Sequence, residues 1–449
     1  MDYKAYTLFN YKRIPQISRL NNNQLDHIEV VGRVFPFKTN NYVVNELIDW
    51  DNFEDDPMYI LNFPQKGMLK DEHYTTMERL YKEGADKKTI FQEANQIRMQ
   101  LNPHPAGQLD HNIPELDGEK LMGIQHKYRE TALFFPTQGQ TCHAYCTFCF
   151  RWPQFSGMND IKFAMKQSDL LVKYLEKNQS ITDLLFTGGD PMIMSANHLK
   201  TYLKAILTSR SHNLSTIRIG SKSLSFWPYR FLTDKDSDEI LRLFEKVTKA
   251  GIHLAFMAHF NHPRELSTEA VAKAVTRIRK TGAQIRTQSP ILNHINSKPE
   301  LWARMWKRQV ELGMVPYYMF LARDTGAQHF FGVNLHKSWN VFRKAYNQVS
   351  GIARTVRGPS MSANPGKVQV VGITEIKGKK VFVLNFLQGR NPDWVGRPFF
   401  AEYDKNALWL DDLRPAFNED SFFFENEFEE IIDKGEENYI RYKEYKPTA

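Results

Sequence analysis

Thr141-Cys142-His143-Ala144-Tyr145-Cys146-Thr147-Phe148-Cys149-Phe150 holds all three cysteines of the 449-residue chain, spaced C-x3-C-x2-C. Random placement would put three cysteines into one eight-residue window roughly once in a thousand chains. An odd number of thiols crowded into one loop does not suit a disulfide scaffold and points to metal ligation. A four-iron cluster held by three thiolates leaves one iron open, and an open position is what lets a metal centre bind and activate a ligand. Zinc would want a fourth ligand. His143 lies between two of the cysteines and would have to fold back onto the same centre to supply it. Three buried, unligated thiols are the bland alternative.

The rest of the composition describes an ordered protein: 42% of residues are hydrophobic, 13% aromatic and 24% charged, which excludes disorder and collagen. Lys plus Arg number 59 against 51 Asp plus Glu, a formal charge of +8 at pH 7. No run of five or six consecutive basic residues accompanies it, so no nucleic-acid partner is expected. Met1 to Tyr6 lacks an apolar signal core, and no stretch approaches the roughly 20 apolar residues of a membrane span. A cytoplasmic location is the expectation.

Outward from the cysteines the chain alternates. Thr131 to Pro136 reads as a strand entering the loop, with a helix around Ser168 to Lys177 after it. Strand and helix then recur at Ile181–Thr187 and His198–Thr208, Thr216–Gly220 and Ser237–Ala250, and His253–His259 and Thr268–Thr281. The series continues through Gln284–Leu292 and Pro299–Leu312, then Val315–Ala322 and His336–Val349. Such alternation predicts parallel strands with crossover helices, and six units predict an incomplete α/β barrel with reactive groups at the C-terminal strand ends. Thr187-Gly188-Gly189-Asp190-Pro191 falls at one such end, where two glycines let backbone approach a ligand and Asp190 can face a cation. Before the alternation, Met77 to Glu93 reads as one helix and Leu101 to Gly107 as a connector. After it, Val368–Ile373 and Lys380–Phe386 read as a hairpin turning at Lys377-Gly378-Lys379. The aromatic and acidic tail, Phe417 to Glu437, is expected to pack on its own domain or on a neighbouring subunit.

The cysteine spacing, with Phe148 just before the last cysteine, resembles the radical S-adenosylmethionine (SAM) superfamily. In that superfamily the open iron of a [4Fe-4S] cluster binds SAM, and the reduced cluster cleaves it to a 5'-deoxyadenosyl radical that abstracts hydrogen. Gly188, Gly189 and Asp190 resemble the segment that binds the methionine ammonium of SAM. Further segments are similar to the lysine 2,3-aminomutases in the same order. They are Asp55-Asp56-Pro57, Phe63 to Leu69, Ile217 to Ser221, His259 to Glu265, Gln288-Ser289 and Pro316-Tyr317-Tyr318, and the likeness covers roughly residues 50 to 400. It implies that Ser221, His259 and Gln288 lie around SAM. It also implies a second cofactor, pyridoxal 5'-phosphate (PLP), joined as an imine to a lysine. The interval from Ser350-Gly351 to Lys367 matches the family's without a gap, which makes Lys367 the candidate; of the family's glycine run only Gly366 remains. Arg151 corresponds to the arginine that pairs with the substrate α-carboxylate, a task suited to a guanidinium fork.

Departures bear on the substrate, a small-molecule amino acid. Lysine-specific members hold the distant ammonium with two acids. Here the position seven before the PLP lysine is Ser360, and the other falls on Arg323, with Asp324 next to it. Arg323 pointing inward would oppose lysine and favour a carboxylate, as in glutamate 2,3-aminomutases. A shift of one residue would offer Asp324 to an amine, and one sequence leaves the register open. The expected architecture is a partial (β/α)6 radical SAM barrel over 126–350, an α-rich N-terminal region over 1–125, and a PLP-binding extension with a β-hairpin over 351–449. The resemblance further implies a reductant such as flavodoxin or ferredoxin and a homo-oligomer, without the cysteine-rich C-terminal zinc site of some members. Four functions are weighed: an aminomutase for an acidic or neutral amino acid, a PLP-independent radical SAM epimerase or rearrangement enzyme, a lysine-directed relative, and a non-enzymatic electron carrier.

Overall fold

The computed structural model describes residues 1–102, 112–156, 163–209 and 211–433. In chain order its strands are β1 (Ala5–Thr7), β2 (Lys38–Asn40), β3 (Glu115–Leu116), β4 (Glu119–Lys120), β5 (Ile124–Tyr128), β6 (Thr131–Phe134), β7 (Asp183–Phe186), β8 (Thr216–Ser221), β9 (His253–His259), β10 (Gln284–Ile291), β11 (Val315–Leu321), β12 (Arg357–Ser362), β13 (Gly366–Ile376), β14 (Lys379–Gly389) and β15 (Pro398–Glu402). Strands β5 to β15 form one mixed sheet in sequential order. From β6 to β12 every neighbouring pair is parallel, while β5 and β13–β15 continue the two edges in antiparallel sense.

The crossover helices follow the expected alternation. Ser168–Lys177 lies where the sequence puts it, and Ala196–Thr208, Ser237–Lys249, Glu269–Lys280, Pro299–Glu311 and Leu335–Tyr346 start or stop within a few residues of expectation. Their ends carry the local signals: Thr268 accepts a hydrogen bond from the Val271 N–H, Glu269 sits in the first turn, and Arg277, Arg279 and Lys280 close the last. Each complements the helix dipole and its unpaired backbone groups. Period-two alternation sorts the strand side chains into two faces. Leu184 and Phe186 on β7, Ile217 and Ile219 on β8, and Met319 on β11 enter the core beneath the helices. Leu185, Arg218, Gly220, Tyr318 and Phe320 turn to the opposite face and line a cavity.

Two expectations change. Met77 to Glu93 is two helices, Asp71–Lys82 and Lys87–Gln100. Gly84 breaks the first at φ +68°, and Asp86 caps the second by accepting from the N–H groups of Lys88 and Thr89. The hairpin is longer than expected, and Lys367 stands within β13; Lys377 and Gly378 make the turn with positive φ, a conformation typical of tight hairpins. Strand β12 went unread because Gly358-Pro359 interrupts it, and proline argues against a strand.

One buried apolar cluster runs from Leu116 to Phe424, and the tail joins it. Phe424 packs against Phe386, Trp394 and Phe399 of the chain's own sheet region. A second cluster gathers Tyr6 through Leu101 and reaches Ala144, Trp152, Phe226, Trp227, Leu292 and Phe331, on loops and turns that follow the parallel strands. The N-terminal region therefore sits over the strand ends that carry the candidate residues. Of the expected connector only Leu101 and Asn102 fall within the described residues, and the tail beyond residue 433 lies outside them. Among the described residues no helix is long and apolar enough to cross a membrane.

Candidate active site

A cavity of about 320 Å³ opens at these strand ends. Cys142, Cys146 and Cys149 line one side of it together with Gly188, Gly189, Asp190, Ser221, His259 and Gln288, and Arg151, Arg323 and Lys367 line it as well. All the expected site residues except Ser360 thus meet around one space. The Ser360 hydroxyl is fully buried, donates to the Met319 carbonyl oxygen at 3.4 Å, and borders neither this cavity nor the adjoining one; Ser362 lines both.

Burial pushes the three thiols upward in pKa, so they need a cationic centre to stand as thiolates. Among the described residues no group of three His, Cys, Asp or Glu side chains is gathered to hold a single ion. Three thiols that share one cavity suit a multi-iron cluster, where each thiolate takes a different iron. His143 is turned elsewhere, with Nδ1 3.2 Å from the Ser223 hydroxyl.

The two glycines border the cavity and also make room for the cysteine loop. A methyl group at Gly189 would stand 2.5 Å from the Thr141 backbone, and one at Gly188, whose φ is +139°, would meet the Gln140 side chain at 2.3 Å. Their smallness therefore seats the β7 turn against the cysteine loop. The Asp190 carboxylate ties these turns together. It accepts from the Met192 N–H at 2.9 Å, the Ser221 hydroxyl at 3.0 Å, the Lys222 N–H at 2.9 Å and the Ser223 hydroxyl at 3.2 Å. His259 Nε2 is buried without a hydrogen-bond partner among the described residues, and burial lowers its pKa so that the ring is neutral. An unsatisfied buried nitrogen facing a cavity fits a ligand atom.

A second cavity of about 250 Å³ adjoins the first and shares Phe150, Arg151, Leu185, Arg218, Arg323, Ser362 and Lys367 with it. No carboxylate appears among the described residues that line it. Arg218 is neutralised by a two-pronged pair with Asp183, at 2.8 and 2.7 Å. Arg151 and Arg323 both lie against the Phe150 ring, at 5.1 and 5.2 Å, and burial depresses both guanidinium pKa values. Arg323 borders both cavities and Asp324 borders neither. Lys127 on β5, to which the sequence drew no attention, is buried here too. It donates to the Ala363 carbonyl oxygen at 2.5 Å, and desolvation with Arg390, Arg323 and Lys367 nearby pulls its pKa far down. The only signal for it was a charged residue at the inward phase of a short strand. Arg218, a lone charge between Ile217 and Ile219, carried the same signal.

Lys367 donates to Gln388 Oε1 at 3.0 Å and lies 4.2 Å from the Tyr318 ring centre. Burial first, then Arg218 and Arg357, bring its pKa down to about 7, against a weaker opposing pull from Asp183. The neutral amine is the nucleophile and is present above that pKa. Covalent capture of free PLP by Lys367 is therefore expected to rise with pH through about 7, rather than near the usual lysine value. Borohydride trapping and mass spectrometry across a pH series would check this, and a midpoint above 9 would contradict it.

Thiols, turns and basic side chains thus gather at the carboxyl ends of the parallel strands, where α/β-barrel enzymes carry their reactive groups. No family model matches the chain. It is 32% identical over 413 residues to a protein of Aquifex aeolicus (strain VF5) named "Putative L-lysine 2,3-aminomutase", a match covering 92% of this chain and 96% of that one. The L-lysine 2,3-aminomutase of Clostridium subterminale is 26% identical over 242 residues, 54% of each chain. That of Escherichia coli (strain K12) is 25% identical over 244 residues, 53% of this chain and 66% of the relative. A solved structure described as "Native anSMEcpe with bound AdoMet" overlaps 48% of this chain and 59% of its own at 12% identity and a TM-score of 0.34. The chain belongs to the lysine 2,3-aminomutase family of radical SAM isomerases. The cofactors of that family are a [4Fe-4S] cluster, SAM and PLP, and its substrates are small molecules.

Proposed function

We propose that this enzyme is a PLP-dependent 2,3-aminomutase that moves the α-amino group of an acidic amino acid to C3. The observation that carries the reading is an excess of basic side chains. Arg151, Arg323 and Lys367 line both cavities, Lys127 lines the second, and Asp190 is the one carboxylate among the described lining residues, with its oxygens already engaged. Uncompensated buried cations are costly, and anionic ligands relieve that cost. A phosphate, an α-carboxylate and a side-chain carboxylate together supply the charge.

In this reading Cys142, Cys146 and Cys149 hold the cluster, and the Gly188–Asp190 turn with Ser221, His259 and Gln288 surrounds SAM. Lys367 carries PLP, Arg151 holds the substrate α-carboxylate and Arg323 its distal one. When bound, these groups supply hydrogen-atom abstraction and a covalent carrier for the migrating nitrogen. The chain's own residues orient and desolvate. Arg151 and Arg323 anchor two ends of the substrate, Tyr318 and Phe320 wall the cavity with aromatic rings, and Gln388 aims the lysine amine. The parallel strands would curve as a partial six-unit barrel, with 1–125 as the cover and 351–449 supplying the PLP lysine. A one-electron donor of flavodoxin or ferredoxin type and self-association follow as further expectations of the same reading.

The test is anaerobic loading with iron and sulfide, then dithionite, SAM, PLP and glutamate. The expected products are 5'-deoxyadenosine and the β-isomer of glutamate, identified by mass spectrometry. Material that holds zinc or no metal and never releases 5'-deoxyadenosine would sink the proposal.

A further inference from the structure

The cysteine loop has little secondary structure of its own, so the partners of its backbone groups have to be found elsewhere. A large share comes from the first 61 residues. The Tyr145 N–H donates to the Lys38 carbonyl oxygen at 2.8 Å, and the Thr147 N–H to that of Leu61 at 2.9 Å. The Thr147 hydroxyl donates to the Ile60 carbonyl oxygen at 2.7 Å. The His143 carbonyl oxygen, between the first two cysteines, accepts from the Tyr3 hydroxyl at 2.7 Å and from Asn40 Nδ2 at 3.2 Å. Both intervals between cysteines are therefore gripped from the N-terminal side.

Asn40 is the junction of these contacts. It is fully buried. Its Nδ2 also donates to the Phe226 carbonyl oxygen at 2.9 Å, in the turn after β8, and its Oδ1 accepts from the N–H groups of Tyr42 and Val43, at 3.0 Å each. One side chain thus joins β2, the cysteine loop and the Ser223–Phe226 turn, whose Ser223 also bonds Asp190. Tyr3 reinforces it with edge contacts to His143 and Trp227, at 5.6 and 4.9 Å between centroids.

We infer that Asn40, assisted by Tyr3, is a positioning residue of the metal centre: it holds the Cys142–Cys146 interval in the shape that keeps the cluster bound. The inference rests on the cysteines holding a cluster and adds to it that the N-terminal region is part of the metal site. Groups that orient metal ligands from outside the coordination sphere commonly contribute roughly 10- to 100-fold to metal affinity.

Asn40→Asp separates this role from folding. The substitution keeps the acceptor for Tyr42 and Val43, removes both donations, and sets an anionic oxygen against two carbonyl oxygens. The expected result is roughly 10-fold faster extraction of cluster iron by a chelator, with an altered electron paramagnetic resonance signal of the reduced cluster and an unaltered circular dichroism spectrum. Tyr3→Phe, which loses one hydroxyl and keeps the ring contacts, is expected to speed extraction several-fold, and it decides the matter if Asn40→Asp does not fold. Iron release from a folded Asn40→Asp chain, or failing that from Tyr3→Phe, at the rate of the unaltered chain would overturn the inference. An unaltered chain that binds no iron would instead overturn the cluster reading beneath it.

Discussion

Lys367→Ala is expected to abolish covalent attachment of PLP and to lower amino-group migration by roughly 10³-fold or more, while cleavage of SAM by the reduced cluster continues. The magnitude follows from the state of the amine. A lysine near its usual pKa of about 10.4 is neutral about once in 10³ at pH 7, whereas Lys367, held at about 7, is neutral about half the time. Lys127 is the competing amine and burial depresses it strongly as well, so basicity alone does not choose between them. Position does. Lys367 borders both cavities, the one with the cysteines and the one with the free cations, while Lys127 borders only the latter. A lysine that releases its cofactor to a substrate reacting with the SAM-derived radical must reach both. Mass spectrometry after borohydride reduction reads the attachment site directly. An adduct that survives Lys367→Ala and disappears in Lys127→Ala would reverse the assignment.

What could be read along the chain is what depends on short-range spacing. Three thiols within eight residues, apolar strands at a regular pitch and capped helices all express local rules, and the strands and helices from Thr131 to Tyr346 follow them closely. What could not be read depends on which residues lie opposite one another in space. Gly188 and Gly189 read as ligand-facing glycines, and their second task of seating the turn against Thr141 and Gln140 shows only in space. Ser360 and Ser362 lie two apart on one strand, yet only Ser362 reaches the cavity. The binding of residues 3 to 61 to the cysteine loop runs through carbonyl oxygens and single polar side chains, and no motif marks such contacts.

The direction of Arg323 has the largest consequence for substrate choice. Its guanidinium is largely buried, its Nε lacks a hydrogen-bond partner among the described residues, and it meets the Asp324 carboxylate at 3.9 Å. Arg151 lies across the same phenyl ring. Two cations on one ring repel, and a lysine ammonium entering beside them would add a third, whereas a second carboxylate on the substrate gives Arg323 a closer anion than Asp324. Glutamate is therefore expected to be turned over in preference to lysine. Arg323→Ala should lower kcat/KM for glutamate by roughly 10²-fold, the scale on which a buried charge pair loses one partner, with a far smaller effect on alanine, which has no distal carboxylate. Arg323→Asp should reverse the sign of the site and raise turnover of lysine relative to glutamate. The measurement is competition between isotopically labelled glutamate, lysine and alanine, with β-isomers quantified by mass spectrometry. Efficient use of lysine by the unaltered enzyme, indifferent to Arg323→Ala, would mean that the distal end of the substrate never meets this guanidinium and that the free cations serve the phosphate and the α-carboxylate alone.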